Sequence, residues 1–321
     1  MGVTIGVDIG GTKIAGGLVD PQGSILARSR HDTPALSSEG IVTTITAVVA
    51  DLVAEAGARG LGEVEGVGLG AAGLVDETRR IVRFAPNLAW EEEPLGPAVE
   101  AGCGVRTVVE NDANAAAWGE FRFGAGRDAH DLVAVTVGTG IGGGIVLRDR
   151  LVRGAYGMAA EFGHYVRVQD GRLCGCGKRG CWEQYASGNA LLRKARDLAA
   201  ERRHEAALLL ALGDGTPEGI VGPHVTEAAR QGDPVALEAF KRIGTWLGTG
   251  LADLAALLDP AMFVIGGGVS EAGELLLGPA RRAFEGALVA GGHRPHAQIV
   301  AAELGNDAGL IGAADLAREQ D

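Results

Sequence analysis

Short apolar runs that alternate with longer helical patterns predict an α/β protein. The runs are rich in β-branched residues and have the length of buried strands. They lie at Val3–Val7, Val64–Leu69, Val105–Val109, Leu132–Val137 and Met262–Ile265.

Two long stretches have the spacing of helices with one apolar side. The first begins at Ser37 or Ser38, which can cap a helix, and ends near Gly57. Its apolar stripe is Ile41, Ile45, Val48, Val49, Leu52 and Val53. The second begins at Asp233-Pro234. Its stripe is Leu237, Phe240, Ile243, Leu247, Leu251, Leu254 and Leu258. Both stripes are expected in the core.

Two glycine turns each join a pair of predicted strands. In the first, Asp8 ends a strand and Gly10-Gly11-Thr12-Lys13 precedes a new apolar run from Ile14. In the second, residues 138–144 separate the runs 132–137 and 145–147. Such glycines let backbone N–H groups approach a phosphate, and Asp8 can hold the water shell of Mg²⁺. Taken alone, each turn is equally typical of an ordinary hairpin, but the recurrence indicates an internal duplication.

Polar residues follow the strand 105–109, where α/β proteins place ligand chemistry. Asp112 can accept a proton from an attacking hydroxyl, and Asn111 can hold a neighbouring hydroxyl. The alternative role for Asp112 is a helix N-cap. Earlier in the chain, Asn87 lies in a loop and can face a polar ligand, whereas Trp90 is expected to pack.

Three cysteines and a histidine predict a zinc site. Cys174, Cys176 and Cys181 lie within eight residues, and His164 is just upstream. A disulfide between Cys174 and Cys176 would be badly strained, whereas three thiolates and one imidazole complete a tetrahedral shell. Such a closed shell predicts a structural role for the metal. The free ring nitrogen of the histidine, together with Glu161 and Glu183, can then meet ligand hydroxyls.

Composition narrows the possible partners. The chain has 321 residues, which predicts about two domains, and a net charge of −12, which disfavours binding to nucleic acid. The first residues lack the pattern of a signal peptide, and no later apolar stretch looks long enough to span a bilayer. These features predict a cytoplasmic protein that does not bind membranes.

The motifs together resemble the ROK family (repressor, open reading frame, kinase), closest to its bacterial kinases for glucose. The resemblance covers essentially the whole chain, and the cysteine loop with its trailing glutamate is its most specific part. It rests on Asp8–Lys13, Glu110–Asn114, Val137–Gly144, Glu161–His164, Cys174–Glu183 and Gly305–Ala314. The turn Gly70-Ala-Ala-Gly73 departs from the family pattern, in which many members carry a proline.

The resemblance implies a two-lobed fold of the sugar-kinase, heat-shock ATPase and actin type. The lobes are duplicated ribonuclease H-like domains with the nucleotide in the cleft between them. We expect a small lobe from 1–110 and 301–321 and a large lobe from 111–300, with a final helix at 309–318 that returns to the amino-terminal lobe. We also expect a homo-oligomer, either a dimer or a tetramer.

The resemblance further implies ATP-dependent phosphorylation of glucose to glucose 6-phosphate, with ATP, Mg²⁺ and structural Zn²⁺ as cofactors. Asp112 is then the catalytic base, and the sugar contacts are Asn87, Asn111, Asp112, Glu161, His164 and Glu183. His164, Cys174, Cys176 and Cys181 hold zinc. The nucleotide contacts are Asp8, Gly10, Gly11, Thr12, Lys13, Gly138, Thr139, Gly140, Gly266, Gly267 and Gly268.

Two alternatives stay open within the family. A kinase for N-acetylmannosamine, mannose or fructose would use the same kinds of contact. A sugar-responsive transcriptional regulator is less favoured, because such members carry an amino-terminal DNA-binding domain and the first predicted strand here begins at Val3.

Overall fold

The computed structural model describes residues 2–34, 37–88 and 90–319, and within these it is an α/β protein. The strands are β1 (Val3–Ile9), β2 (Lys13–Val19), β3 (Ile25–Asp32), β4 (Val64–Ala71), β5 (Leu74–Val75), β6 (Val82–Ala85), β7 (Trp90–Glu93), β8 (Thr107–Asn111), β9 (Leu132–Val137), β10 (Ile141–Leu147), β11 (Arg150–Leu151), β12 (Met262–Gly266) and β13 (Gln298–Ala301). The helices are α1 (Ser38–Ala58), α2 (Leu95–Cys103), α3 (Asp112–Phe123), α4 (Glu183–Ala186), α5 (Gly188–Glu201), α6 (Ala207–Leu212), α7 (Gly222–Arg230), α8 (Pro234–Leu258), α9 (Glu274–Ala287) and α10 (Ala308–Leu316).

The chain divides into two compact units. Unit 1 comprises the described residues within Met1–Ala134, Gly143–Ala160 and Glu303–Asp321. Unit 2 comprises Val135–Gly142 and Glu161–Ala302. The lobes expected from the sequence, with their boundary between residues 110 and 111, stay a prediction.

Unit 1 contains a five-stranded sheet with the order β3-β2-β1-β4-β8. β1 pairs antiparallel with β2 and parallel with β4, and β4 pairs parallel with β8. The last helix, α10, packs very closely on this sheet: a Cβ added at Gly6 would lie 1.9 Å from the carbonyl oxygen of Leu310. The expected return of the final helix to the amino-terminal strands is therefore confirmed.

Helix α1 begins where the sequence predicts, because the Ser37 side chain accepts a hydrogen bond from the amide of Gly40. Its apolar stripe is buried in the core of unit 1, except that Val53 is 39% exposed. By length and composition α1 is long enough to cross a membrane. The expectation that no apolar stretch has this length is therefore wrong, although the apolar stripe of this helix packs on the sheet.

The second five-stranded sheet has the order β11-β10-β9-β12-β13, and β5, β6 and β7 form a small third sheet. In unit 2, β12 pairs parallel with β13. Helix α8 is capped by Asp233, whose carboxylate accepts hydrogen bonds from the amides of Val235 and Ala236. Most of its predicted stripe is buried, but Leu237 is 39% exposed and lies off the stripe.

Candidate active site

The first glycine turn, residues 10–12, connects β1 and β2 in unit 1, which confirms the predicted hairpin. The amide of Gly10 donates to the carbonyl of Lys13 (3.0 Å). The hydroxyl of Thr33 on the following segment donates to the carbonyl of Gly10 (2.7 Å). A Cβ placed on Gly11 would meet nothing within 4 Å. The turn is thus held from one side and leaves open space at Gly11, as a phosphate would need.

Asp8 lies at the end of β1, beside this turn. The pKa of its carboxyl is raised to about 6, first by burial and then by the charge of Asp112, while the charge of Lys13 opposes the shift. A nearby cation would reduce the repulsion between the negative charges of the Asp8 and Asp112 carboxylates. Carboxylate oxygen is also the ligand type that Mg²⁺ prefers. The donor chemistry at Asp8 therefore fits the predicted magnesium.

Asn111, rather than Asp112, caps helix α3. Its side-chain oxygen accepts hydrogen bonds from the amides of Ala113 and Asn114 (both 3.0 Å). Its amide nitrogen donates to the carbonyl of Gly73 (3.1 Å). The capping role is thus filled without Asp112, which occupies the first helical position. Burial raises the pKa of the Asp112 carboxyl, as suits a group that must take up a proton.

A buried charge network lies directly behind these two residues, and the sequence analysis missed it. Glu110 is only 2% exposed. Its carboxylate accepts hydrogen bonds from Arg153 (2.7 Å) and from the backbone of Asn111 (3.0 Å), and Arg79 lies 3.4 Å away. Arg153 also donates to the carbonyl of Asp76 (2.8 Å). The signal in the sequence is a carboxylate at the end of a buried strand, which requires charged partners.

In unit 2, the second glycine turn, residues 138–140, connects β9 and β10, which again confirms the predicted hairpin. The carbonyl of Gly138 accepts a hydrogen bond from the amide of Gly188 at the start of α5 (2.7 Å). The third glycine segment, 266–268, lies against the end of β9. The backbone of Gly267 has φ +84°, and a Cβ there would lie 2.7 Å from the amide nitrogen of Val137. A side chain has no room at this position, so the third segment depends on glycine.

The four predicted zinc ligands converge in unit 2. One ligand atom from each of His164, Cys174, Cys176 and Cys181 lies within 4.8 Å of the others. The Sγ of Cys174 is 3.6 Å from Nδ1 of His164, and the Sγ atoms of Cys176 and Cys181 are also 3.6 Å apart. Tetrahedral zinc with Zn–S bonds of about 2.3 Å and a Zn–N bond of about 2.0 Å places its ligands about 3.5–3.8 Å apart. The cluster therefore fits zinc, with Nδ1 turned toward the thiols.

Glu183 lies between the cysteine cluster and the second glycine turn. Its Oε1 accepts a hydrogen bond from the thiol of Cys174 (2.9 Å). A Cβ added at Gly140 would lie 2.4 Å from its Oε2. Burial, followed by this hydrogen bond, raises the pKa of the Cys174 thiol to about 12. Binding of zinc would require this proton to leave, because the thiolate is the metal ligand.

The remaining predicted sugar contacts are exposed or partly exposed. His164 closes a short 3₁₀ turn at Phe162–His164, and its amide donates to the carbonyl of Glu161 (3.0 Å). Glu161 is exposed, and so is Asn87 at the centre of another 3₁₀ turn in unit 1. Trp90 packs in the core as expected, being 2% exposed. The roles of the predicted site residues stay predictions.

Comparison with known proteins identifies the family. The model of the ROK family matches residues 4–320. The chain belongs to the ROK family. It is 54% identical over 321 residues to a glucokinase of Streptomyces coelicolor, covering 100% of this chain and 99% of the relative. It is 38% identical over 317 residues to a glucokinase of Thermotoga maritima, covering 98% and 97%.

Solved ROK structures share the fold. The structure of a ROK glucokinase from Streptomyces griseus in complex with glucose and AMPPNP has a TM-score of 0.87 and 57% identity. That match covers 99% of this chain and 100% of the other. The α/β fold is therefore that of the ROK sugar kinases, of the actin-like ATPase type, as expected from the sequence.

Proposed function

We propose that this ROK protein is a glucokinase that transfers the γ-phosphoryl group of ATP to the 6-hydroxyl of glucose. The observation that carries the proposal is the likeness along the full chain to a glucokinase solved with glucose and an ATP analogue. The glucokinase of S. coelicolor supports it at 54% identity over the same length.

Asp112 would act as the general base. The 6-hydroxyl oxygen of glucose forms a bond to the γ-phosphorus, the bond from that phosphorus to the bridging oxygen of ADP breaks, and the hydroxyl proton passes to Asp112. The raised pKa of Asp112 favours this proton transfer. Its Oδ1 accepts a hydrogen bond from the amide of Ala113 (2.9 Å), so Oδ2 is the oxygen that would take up the proton. Glu110 and its two arginines would hold the end of β8 in place, which makes Glu110 a positioning residue.

The sugar contacts would be polar side chains of the predicted site residues. Asn111 already donates one amide hydrogen to Gly73 and retains a second for a hydroxyl. Nδ1 of His164 faces the thiols, so its Nε2 would be available to glucose. Glu161, Glu183 and Asn87 would contribute the other polar contacts. Together these groups can hold several hydroxyls of a hexose in one orientation, which is the main task of a phosphoryl-transfer site.

The phosphate contacts would come from the three glycine segments. These segments are residues 10–12 with Lys13, residues 138–140 and residues 266–268. Each has a glycine beside open space, namely Gly11, Gly138 and Gly268. Asp8 would hold Mg²⁺ through its hydration shell, and the metal would neutralise charge on the transferring phosphates. Zinc bound by His164 and the three cysteines would fix the loop that carries Glu183.

We also propose that the protein acts in the cytoplasm as a homo-oligomer, either a dimer or a tetramer. Its described cysteines are free thiols, which suits a reducing compartment. The net charge of −12 argues against nucleic acid as a partner. We further propose that two lobes close on the substrates. The small lobe comprises residues 1–110 and 301–321, and the large lobe comprises residues 111–300.

A coupled assay of ATP-dependent phosphorylation across glucose, mannose, fructose and N-acetylmannosamine tests the proposal. Glucose should have the highest kcat/KM. Asp112→Asn should lower kcat by about 10²–10⁴-fold, because the amide cannot take up the proton, while isothermal titration should show that the variant still binds glucose. A higher kcat/KM for another hexose would replace glucose as the substrate. A kcat near that of the parent in Asp112→Asn would refute the assignment of the base.

A further inference from the structure

A cavity of about 210 Å³ lies in unit 2. Its lining residue Gln184 donates from its side-chain amide to the carboxylate of Glu183 (3.3 Å). Basic, aromatic and apolar side chains from α4, α5, α8 and the segment before Cys174 line the cavity. They include Arg172, Gln184, Tyr185, Arg193, Lys194 and Trp246. The rings of Tyr185 and Trp246 are 4.9 Å apart and form an aromatic wall. Such a combination of apolar surface and a few convergent charges is typical of a small-molecule site.

The charges of this cavity are unbalanced. Four cationic side chains line it, namely Arg172, Arg193, Lys194 and Arg242, against the single carboxylate of Asp197. Arg242 is paired with Glu238, which neutralises it (2.8 Å). Within the described part of the chain, neither Arg172 nor Lys194 has a side-chain ion pair or hydrogen bond. The excess of positive charge is unexpected in a protein with a net charge of −12.

The positive charges of Arg172 and Arg193 also disfavour each other. Arg193 is partly buried, and its guanidinium donates to the carbonyl of Gln184 (2.7 Å) rather than to a carboxylate. Burial lowers the pKa of Arg193, and the charge of Arg172 lowers it further. An anion between the two guanidinium groups would remove this repulsion and form charge-assisted hydrogen bonds.

The size of the cavity limits the occupant. A volume of 210 Å³ corresponds to about seven water molecules. It lies below the range of about 300–1,000 Å³ that holds drug-sized ligands. A phosphate ester of a small metabolite fits this volume. Two guanidinium groups and an ammonium group suit a dianion, and the aromatic wall suits its carbon skeleton.

Hydrogen bonds connect the cavity wall to the zinc loop. The backbone amide of Arg172, two residues before Cys174, donates to the hydroxyl of Tyr185 (2.9 Å). The indole of Trp182, next to Glu183, donates to the carbonyl of Trp246 (2.9 Å). Trp182 is fully buried. An anion that fixes Arg172 and Arg193 would therefore order the segments on both sides of the loop that carries Glu183.

We infer that this cavity is a second binding site, which takes a small organic phosphomonoester and thereby strengthens glucose binding. The binding itself is independent of the proposed function, whereas the effect on glucose rests on it. Ordering the loop in advance lowers the entropy that glucose must lose when it binds, so the KM for glucose should fall about two- to fivefold.

Calorimetric titration of the whole protein with glycerol 3-phosphate tests the binding. Inorganic phosphate and glycerol serve as comparison ligands, and substrates are omitted. The parent and Asp112→Asn should both show one saturable site per chain, with glycerol without effect. Lys194→Ala should weaken binding at least tenfold, and Arg193→Gln should do the same. Lys241→Ala, which removes an exposed cation outside the cavity, is the matched control and should bind like the parent.

Several outcomes would overturn the inference. Unchanged affinity in both Lys194→Ala and Arg193→Gln would place the ligand elsewhere. Equal affinity for inorganic phosphate would refute the role of the carbon skeleton. If these variants changed the oligomeric state by size-exclusion chromatography without weakening phosphate binding, this face would be a contact between copies. Binding that leaves the glucose KM unchanged in a kinase confirmed by the hexose panel would refute only the coupling.

Discussion

The two glycine hairpins look alike in the sequence but have different surroundings in the structure. The first turn lies beside charged groups, Asp8 and Lys13, and a Cβ on Gly11 would meet only open space. The second turn carries no charge of its own, and at Gly140 it is in close contact with Glu183. Both turns are proposed to contact phosphate, but only the first also has neighbouring charges, and only the second also contacts Glu183, which follows the segment with the predicted zinc ligands.

Because of this difference, substitutions at the two turns should have different effects on substrate binding. A change at the first turn should alter how ATP and magnesium bind and leave glucose binding alone. A change at the second turn, or in the loop behind it, should reach glucose through Glu183. The variants that follow test this separation, because each has a different expected effect on the KM values of the two substrates.

Asp8→Asn should have the largest effect among the variants that compare the two turns. It removes the carboxylate proposed to hold Mg²⁺, so kcat/KM for ATP should fall by about 10²–10³-fold, while glucose binding measured by calorimetry should be unchanged. A loss of glucose affinity equal to the loss for ATP would break the separation between the turns.

The same variant should stabilise the free protein at high pH. The pKa of Asp8 is raised from 3.8 to about 6 in the folded state, so folding binds a proton in this window and stability falls as pH rises through it. This change in the pKa of Asp8 corresponds to at most about 3 kcal/mol of stability. Urea unfolding without ATP or Mg²⁺ should show the Asp8→Asn protein more stable than the parent at pH 8, with the gain vanishing toward pH 4. A gain that grows as pH falls would contradict this sign.

Local patterns predicted most of the fold. Both hairpins, the Ser37 cap of α1 and the Asp233 cap of α8 depend on residues close together in the chain, and all are confirmed. Spacing alone was less reliable at the edges of the stripes. Val53 and Leu237 are each 39% exposed, because an apolar residue at the border of a helical face can lie on either side of the packing boundary.

The site was harder to predict where tertiary contacts decide it. Asn111 and Asp112 are both good N-cap residues, and only the observed bonds show that Asn111 takes the cap. The partners of Glu110 are Arg79 and Arg153, which lie 31 and 43 residues away in the sequence. The convergence of His164 with Cys174, Cys176 and Cys181 was predictable because the three cysteines lie within eight residues and the histidine is just upstream.

Cys176→Ser should have the next largest effect and should act on the second turn. Loss of one ligand should release zinc, lower the free energy of unfolding by several kcal/mol and raise the KM for glucose about tenfold, with the KM for ATP little changed. The zinc content per chain reports the release of the metal, urea unfolding reports the loss of stability, and steady-state kinetics give the two KM values. Cys103→Ser, a partly buried thiol outside the cluster, is the control and should keep its zinc. Full activity in a zinc-free Cys176→Ser protein would refute the coupling between metal and sugar.

The smallest effects should come from a matched pair of alanine substitutions. In Gly140→Ala the new methyl group would lie 2.4 Å from Oε2 of Glu183, so this flexible side chain must move and the KM for glucose should rise about three- to tenfold. In Gly11→Ala the methyl group meets no protein atom within 4 Å, so the fold should be unaffected. It would occupy space left for phosphate and raise the KM for ATP by a similar factor. Because both changes add one methyl group to a glycine turn, identical effects on both substrates would show that the two hairpins do not differ in function.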